Sequence, residues 1–415
     1  MHMKHMRNKK MRKLTQEEQV LLKLLGRELF GSSVTWGESI DWRTVAKESM
    51  YQSSLLPAFS HMEQIPDIPS EIRNSIKKQS EESMKANLLN FQWHGQIHCL
   101  MQSLGIPYCI LKGAASAMYY PEPLLREMGD VDFLVREQDI EQVGQLLESM
   151  GFVRMEAKEY HHHVDYQKEN VLLEVHFDSP GIPKGESEPI VRRYLETLLV
   201  QSRMADTLPL PVRVPSEFHH GLVMLLHLQT HLMSEGIGIR HLCDWALFFN
   251  AVGEQAFLKL FQIPLQEMGL WKFAQTVSLA AAFAFDLPRE LWMGEEEELA
   301  WELLFDMMAG GTNGRKDEQR RYESMFISDS RKLTAEKGRV RQLLETASQI
   351  AYGYWPVMRT WKILLPFGWL MLYIRRGYRV LRGKRTKVDY LEAYKNSSGR
   401  KELYRQLHIF ERELK

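Results

Sequence analysis

Asp130 and Asp132 alternate with the apolar residues Val131, Phe133 and Val135 in a short segment that follows a glycine. Side chains two positions apart on a β-strand project from the same face. The pattern therefore predicts a half-buried strand with both carboxylates on one face and the apolar side chains on the other. Two carboxylates held side by side repel each other unless a cation lies between them. Because Mg²⁺ takes oxygen ligands in proteins, the segment predicts a strand that presents a divalent metal site.

Length, composition and charge limit the kind of protein that carries this strand. A chain of 415 residues is too long for one ordinary domain, and 44% apolar residues supply enough side chains for compact cores. The 53 basic residues balance the 53 acidic ones, so there is no strong sign of nucleic-acid binding. Three cysteines carry no disulfide framework, which indicates a reducing compartment. With no apolar run typical of a signal peptide or a membrane span, we expect a cytoplasmic protein.

The spacing of apolar residues changes along the chain, and the changes predict its domains. Helical spacing precedes and follows a stretch in which short apolar or alternating segments interleave with helices. This order predicts an α+β fold, in which a small mixed β-sheet core has a helical N-terminal lead and a large all-helical C-terminal domain. The predicted bounds are a basic disordered tail at 1–13, the helical lead at 14–104, the α/β core at 105–185, the helical domain at 186–355, and an aromatic and basic helical segment at 356–415.

Individual elements follow from the same patterns. The predicted helices of the lead span 16–30, about 41–63, and 70–104. The predicted strands are 107–111, 130–135, 152–156, 160–167 and 171–177, with a helix at 137–150 between the second strand and the third. After residue 189 no strand is predicted, and helices are expected at 216–234, 240–251, 257–268, 271–285, 295–308 and 338–352.

A third carboxylate and a glycine turn complete the predicted site. Glu174 is a charged residue inside an otherwise apolar strand, and His176 lies on the same face two residues later. In-line transfer at phosphorus needs its charge neutralised by metal and by positioned cations. Lys112 and Gly113 follow a strand and precede a short helix, where backbone N–H groups attract phosphate. The pattern therefore predicts phosphoryl or nucleotidyl transfer, with Lys112 and Arg126 as cations for the phosphate oxygens.

Several short motifs carry a resemblance to a known family. They are Leu111-Lys-Gly113, Tyr120-Pro121, Arg126, Gly129-Asp-Val-Asp132 and Glu174-Val-His176. Together they resemble the bacterial family of uncharacterised nucleotidyltransferases within the polymerase-β-like superfamily. The resemblance covers about 106–177. The later segment Ile239-Arg-His-Leu-Cys-Asp244 is similar to the arginine-to-aspartate helix motif of that family.

The resemblance implies roles for individual residues. Asp130, Asp132 and Glu174 take the metal-binding and catalytic roles, with two Mg²⁺ ions expected and Mn²⁺ as an alternative. The NTP, with ATP among the candidates, is expected to contact Lys112, Gly113, Ser116, Arg126, Gly129 and Arg240. His163, His176 and Asp244 are expected to contact the acceptor or to support the site.

Two histidine groups suggest metal ligands, but each also has a structural interpretation. The run His161 to His163 suggests zinc. Neighbours on a strand face opposite ways, so we expect only His161 and His163 to share a face, in a structural or substrate-facing role. His227 and His231 lie four apart on a predicted helix. No glutamate stands next to the first histidine as the zinc-peptidase pattern requires, which favours a packed or surface face.

Two further features each have a structural and a functional interpretation. Arg240 and Asp244 are four apart on a predicted helix, so an ion pair within that helix is the default interpretation. The segment 361–385 mixes aromatic residues with a basic flank. It is interpreted either as the last packing helix of the C-terminal domain, which we favour, or as a helix in peripheral contact with a membrane surface.

Two hypotheses of function follow. The first is an Mg²⁺-dependent nucleotidyltransferase in which Asp132 or Glu174 takes the acceptor's proton. The alternative is a non-catalytic nucleotide- or RNA-binding module with the same fold, because the glycine turn departs from the Gly-Gly or Gly-Ser of the superfamily. The acceptor (small molecule, glycan, peptide or RNA) does not follow from the sequence. We expect its cleft between the α/β core and the helices at 215–285, with Arg240 facing the nucleotide or supporting Asp244.

Overall fold

Helices form the described N-terminal part of the chain. The computed structural model describes residues 13–37, 39–155, 162–205, 208, 210–234, 236–317, 357–381 and 390–411, with scattered positions between 320 and 355. The helices before the sheet are α1 (Gln16–Phe30), α2 (Trp42–Tyr51), α3 (Leu55–Ala58) and α4 (Ser70–Leu104), with a 3₁₀ turn at Met62–Gln64. The predicted bounds of α1 and α4 are confirmed. The predicted basic tail lies outside the described residues, apart from Lys13.

The helix predicted from 41 to about 63 is wrong beyond Tyr51, because the chain turns there instead of continuing. Ser53 has a φ of +49°, outside the right-handed helical region. The Gln52 side chain donates to the carbonyl oxygen of Met308 at 3.1 Å and accepts from the backbone N–H of Ile239 at 2.9 Å. These contacts with distant residues outweigh the local helical periodicity.

The α/β core contains a five-stranded sheet. Its strands are β1 (Cys109–Ile110), β2 (Val131–Leu134), β3 (Val153–Arg154), β4 (His163–Lys168) and β5 (Val171–His176). They lie in the order β1-β2-β5-β4-β3, in which β2 and β5 are parallel and the other neighbours antiparallel. A four-residue helix, α5 (Ala114–Ala117), follows β1, and α6 (Ile140–Ser149) follows β2. The prediction of a small mixed sheet is confirmed, and each predicted strand overlaps one of these strands, although β4 extends one residue beyond the predicted 160–167.

One face of the sheet is apolar and the other is polar. Val131, Phe133 and Val175 are fully buried in a hydrophobic core with Ile97 and Met101 of α4. Along each strand, the side chains on this face alternate with side chains that point to the other face. The opposite face therefore carries the side chains that lie between these core residues in sequence. The second half of α4 thus packs on the sheet, and the domain bounds given above stay a prediction.

The C-terminal part of the chain is largely helical. Its helices are α7 (Glu188–Leu195), α8 (Glu217–Met233), α9 (Ile239–Val252), α10 (Glu254–Met268), α11 (Trp271–Phe285), α12 (Glu297–Gly310), α13 (Val357–Thr360), α14 (Leu365–Leu381) and α15 (Tyr390–Gln406). These confirm the fold class and the helices predicted between 216 and 308. The helix predicted at 338–352 lies mostly outside the described residues. Among the residues described, no helix combines the length and apolar character that crossing a membrane requires.

A short pair of strands contradicts the prediction that no strand follows residue 189. β6 (Arg203–Met204) and β7 (Arg213–Val214) pair antiparallel. Val212 and Val214 are buried in the sheet's core, and the backbone N–H of Arg213 donates to the Tyr108 hydroxyl at 3.0 Å. Two-residue strands are too short to show alternation in the sequence. Packing against the core therefore decides this structure.

Candidate active site

Three carboxylates lie side by side across the polar face of the sheet. Asp132 of β2 is in register with Glu174 of β5, and Glu174 is in register with Asp165 of β4. Directly opposed side chains on neighbouring strands have Cβ atoms roughly 4.5–5.5 Å apart. The next row pairs His176 with His163. Parallel pairing of β2 with β5 therefore brings together acids that are far apart in sequence.

Imidazole rings connect the carboxylates of this row. The Nε2 atom of His176 lies 3.1 Å from Oδ1 of Asp132 and 3.3 Å from Oε2 of Glu174. The Nε2 atom of His163 lies 3.0 Å from Oδ1 of Asp165. Burial alone would lower the pKa of His176, but hydrogen bonds to Asp132 and Glu174 raise it above its ordinary value. A protonated His176 donates to the two carboxylates and reduces their mutual repulsion.

Lys112 supplies the second positive charge at the site. Its Nζ atom lies 2.7 Å from Oδ1 of Asp132. Burial would raise the pKa of Asp132, but the Lys112 ammonium and the His176 ring hold it well below its ordinary range. Asp132 is therefore an ionised carboxylate at neutral pH. Asp130, one residue before β2, differs because burial and then repulsion by Asp132 raise its pKa.

The carboxyl group of Glu174 has a pKa near neutrality. Burial and then the negative charge of Asp132 raise the pKa of its carboxyl group to about 7, against the lowering effect of the hydrogen bond from His176. Two neighbouring acids with pKa values pushed apart are typical of catalytic and metal-binding sites.

The donor set of this cluster fits a divalent cation. One ligand atom each from Asp132, Glu174 and His176 lie within 4.8 Å of one another, as do those of His163, Asp165 and Glu174. The repulsion that raises the pKa of Asp130 and Glu174 is the kind that a bound cation relieves. Carboxylate oxygens suit Mg²⁺, and an added imidazole suits Mn²⁺ or zinc as well.

The histidine run differs from the geometry expected for a strand. β4 begins at His163, and His162 lies in the bend before it, so the two side chains do not have to alternate faces. The ring of His162 stacks on His176 with centroids 5.2 Å apart. Ligand atoms of His162, His163 and His176 lie within 4.8 Å of one another. The expectation that only His161 and His163 share a face is therefore wrong, and His161 itself lies outside the described residues.

Sequence reasoning missed a polar stripe on α4 that holds the turns around the site. Asn87 donates to the carbonyl oxygen of Arg126 at 2.7 Å and accepts from the N–H of Met128 at 2.8 Å. Asn90 donates to the carbonyl oxygen of Met128 at 3.0 Å. These bonds fix the turn that leads into Asp130. Polar residues at helical spacing among apolar neighbours were the signal in the sequence.

His94, one turn further along α4, reaches the glycine turn. Its Nε2 atom accepts from the backbone N–H of Ala114 at 3.4 Å. Gly113 has a φ of +60°, which favours glycine, and a Cβ atom there would lie 2.7 Å from the same nitrogen. Glycine is therefore required at this position for both its backbone angle and its lack of a side chain.

Arg126 and Asp244 form a buried ion pair that joins the core to α9. The Nε and Nη2 atoms of Arg126 donate to the two oxygens of Asp244 at 2.9 and 2.7 Å, and the Tyr120 hydroxyl donates to Oδ1 at 2.9 Å. The predicted ion pair with Arg240 within the helix is therefore wrong, because Asp244 pairs with a residue of the core.

Arg240 lies on the same helix and contacts the turn before β2. Its Nη1 atom donates to the carbonyl oxygen of Glu127 at 2.7 Å, and its Nε is buried with no hydrogen-bond partner among the described residues. Burial and then the neighbouring Arg126 lower its pKa, against attraction from Asp244 and Asp130. α9 therefore brings a guanidinium to the loop that carries the first aspartate.

His227, His231 and His241 cluster beside these cations. Their ring centroids lie 4.3, 5.4 and 5.9 Å apart. Burial and then Lys112 and Arg240 lower the pKa of His231 to about 4, so its ring is neutral at physiological pH. These histidines pack together, in agreement with the packed interpretation of His227 and His231.

The predicted site residues fall into two groups. Asp130, Asp132, Glu174, Lys112, His163 and His176 come together on the polar face, with Gly113 in the adjoining turn and Gly129 exposed just before Asp130. Ser116 and Arg126 face the helical half instead. The Ser116 hydroxyl is buried 3.3 Å from Nε2 of His220, and Arg126 is held by Asp244.

One family model matches the part of the chain that carries this arrangement. The family model described as an uncharacterised nucleotidyltransferase matches residues 38–286, more than half of the chain. The chain belongs to this family. No curated protein matches the chain significantly. The matched range includes the sheet, α4, α8 and α9. It therefore contains the elements on both sides of the candidate site.

Three solved structures are weakly similar to this chain. The antibiotic-resistance factor ANT(2'')-Ia shares 13% identity over 43% of this chain and 88% of its own, with a TM-score of 0.29. An antigenic nucleotidyltransferase-like protein from Paracoccidioides brasiliensis shares 18% identity over the same shares, with a TM-score of 0.28. A tRNA-processing enzyme complex matches at 14% identity over 76% of this chain and 100% of that chain, with a TM-score of 0.20. The assignment rests on the family model alone.

Proposed function

We propose that this protein is a divalent-metal-dependent enzyme that transfers a nucleoside monophosphate from an NTP to an acceptor hydroxyl and releases pyrophosphate. The observation that carries the proposal is the row of carboxylates on the sheet. Asp132 and Glu174 lie in register on parallel strands, with Asp130 before them and Lys112 bound to Asp132. The chain that carries this arrangement belongs to a nucleotidyltransferase family.

Asp130, Asp132 and Glu174 are the residues that would hold the metal, with His176 and His163 beside them. We favour Mg²⁺, because carboxylate oxygens outnumber nitrogens in the cluster, and the imidazoles allow Mn²⁺. When bound, the metal supplies charge neutralisation and alignment for the phosphate oxygens. Asp132 is prepared for this role because Lys112 and His176 keep it ionised.

Glu174 is the better candidate for the group that removes the acceptor's proton. The acceptor oxygen forms a bond to the α-phosphorus, the bond from that phosphorus to the bridging oxygen breaks, and pyrophosphate leaves with the electron pair. The hydroxyl proton needs a base whose pKa lies near the working pH. Of the two carboxylates Glu174 is the more basic, because burial and then Asp132 raise its pKa to about 7, whereas Lys112 and His176 hold the pKa of Asp132 well below its ordinary range despite burial.

Lys112 and Arg240 are the cations that we assign to the triphosphate. Lys112 lies among the carboxylates, and Arg240 presents a buried Nε with no hydrogen-bond partner among the described residues. We assign Arg126 to positioning, because its guanidinium is bound to Asp244. Gly113 permits the close backbone turn beside Lys112, and the acceptor would enter between the sheet and α8 and α9.

The test measures NTP binding and nucleotide transfer by the full chain. Calorimetry with ATP, GTP, CTP and UTP is expected to show binding to at least one NTP that requires Mg²⁺ or Mn²⁺. Incubation with the same α-labelled NTP and a metabolite pool is expected to label one product and release pyrophosphate. Metal-independent RNA binding without NTP binding would instead support the non-catalytic alternative.

Metal binding is expected to strengthen as the pH rises through about 7. Because burial and Asp132 raise the pKa of Glu174 to about 7, this carboxyl holds a proton at lower pH that the metal must displace. Displacement of one proton from a group with this pKa gives about a tenfold gain in Mn²⁺ affinity between about pH 6 and pH 8. Calorimetry in buffers of different ionisation enthalpy measures the affinity and the released proton. A Glu174→Gln variant should lose both the proton release and the pH dependence, whereas Glu188→Gln, which changes a side chain of α7 that is 36% exposed, should keep them.

A further inference from the structure

Helix α14 is apolar on two opposite faces. One face packs within the protein: Gly368 is buried against Met358 and Ala351, and Nε1 of Trp369 donates to the Ser348 hydroxyl at 3.1 Å. Together with Leu365 these positions follow the helical spacing of a single stripe. The packed face is therefore the ordinary buried side of an amphipathic helix.

The other face carries large apolar side chains that the described residues leave uncovered. They are Phe367, Leu370, Met371 and Ile374, with exposed fractions of 66%, 56%, 50% and 60%. Successive members of this set are three, one and three residues apart, so they also form one stripe along the helix. This stripe lies on the side opposite the packed face. The turn before the helix adds Trp361 at 62% and Ile363 at 80%. A contiguous exposed apolar patch of this kind marks a binding surface in a folded protein.

The charge of the surrounding sequence identifies the partner. From Tyr354 to Val388 the sequence contains no aspartate or glutamate. The same stretch contains Arg359, Lys362, Arg375, Arg376, Arg379, Arg382, Lys384, Arg385 and Lys387. Arg375 is exposed and lies over the Tyr354 ring, with its Cζ atom 4.4 Å from the ring centroid. The apolar stripe therefore borders a strongly basic segment in a chain whose overall charge is zero.

We propose that α14 seats this protein on the surface of a membrane rich in anionic lipids. The stripe from Phe367 to Ile374 enters the boundary between headgroups and acyl chains, and the exposed Lys362 and Arg375 bind the anionic headgroups. Aromatic residues such as Trp361 suit the interfacial layer. The helix lies on the membrane and does not cross it, in keeping with the absence of a spanning helix among the described residues.

A membrane surface fits these features better than RNA or a second copy of the chain. RNA binding draws on basic and stacking aromatic groups and leaves aliphatic side chains such as Leu370 and Ile374 in water. A second copy would bring the same basic segment against itself, and like charges oppose that contact. Anionic lipid satisfies both the apolar stripe and the charge, and the proposal does not depend on the catalytic assignment.

Vesicle flotation of the full chain tests the proposal. The protein is expected to float with vesicles of phosphatidylcholine and phosphatidylglycerol, weakly with phosphatidylcholine alone, and less as salt rises. The double variant F367E/M371E should bind at least about tenfold more weakly, since two apolar side chains no longer leave water. The matched control is Ile263→Glu, which changes an isolated apolar residue of α10 that is 67% exposed. It should float as the wild type does.

A second measurement covers the case in which the double variant misfolds. Brominated lipid should quench the tryptophan fluorescence of the wild type, and Trp361→Phe should reduce that quenching. The proposal is overturned if the wild type does not float with the anionic vesicles, or if a folded F367E/M371E protein floats equally well. It is also overturned if the stripe instead mediates vesicle-independent self-association, or if the segment binds RNA and no vesicles.

Discussion

Replacement of Arg126 by alanine is expected to lower the free energy of unfolding by about 3–5 kcal/mol, as removal of one partner from a buried ion pair does. Side chains of Arg126 and Asp244 are 5% and 6% exposed, and two hydrogen bonds join them. Without the guanidinium, the Asp244 carboxylate stays buried with the Tyr120 hydroxyl as its remaining donor. Urea denaturation followed by tryptophan fluorescence measures the loss.

An exposed ion pair provides the matched control. Arg192 donates to Asp178 at 2.7 Å, but these side chains are 48% and 32% exposed. Arg192→Ala is therefore expected to cost less than about 1 kcal/mol, the range of surface pairs. The double variant R126A/D244N should recover part of the stability lost in R126A, because the unpaired charge is gone. Equal stability of R126A and R192A would contradict a structural role for the buried pair.

The sequence predicted the elements of the site better than the contacts that join them. Alternation around Asp132 and an apolar run around Glu174 predicted two strands that carry carboxylates, because strand geometry is local. Their register, and the position of Asp165 beside Glu174, depend on the order of strands in the sheet. That order has no local signal, so Asp165 was not predicted.

Contacts across long separations explain the remaining errors. Arg126 and Asp244 are 118 positions apart, and their pairing replaced the local ion pair expected for Arg240. Asn87 and Asn90 lie at helical spacing in the sequence of α4, but that spacing does not identify the distant turn around Met128 as their partner. The break of the second helix at Ser53 has the same origin, because Gln52 bonds with residues of α9 and α12.

Replacement of Asp132 by asparagine is expected to abolish metal-dependent nucleotide transfer while the fold is kept. Loss of a group that merely supports a metal ligand costs about 10–100-fold in affinity or activity, so loss of a carboxylate ligand should cost at least about a hundredfold. Asparagine keeps the size of the side chain and accepts from Lys112, which limits the structural change. Calorimetry with Mn²⁺ and label transfer from the NTP identified in the binding panel measure the two effects.

Two comparisons separate a metal-binding role of Asp132 from a structural one. The control Asp178→Asn removes a carboxylate two residues beyond β5 that pairs with exposed Arg192, and it should leave Mn²⁺ affinity and transfer unchanged. Burial and then repulsion by Asp132 raise the pKa of both Asp130 and Glu174. In D132N the pKa of Glu174 should therefore fall, which carboxyl titration by NMR detects. If D132N keeps its metal affinity while that pKa falls, Asp132 acts on its neighbours and the metal lies elsewhere. If affinity and transfer fall together and D178N matches the wild type, the row of carboxylates on the sheet is the metal site.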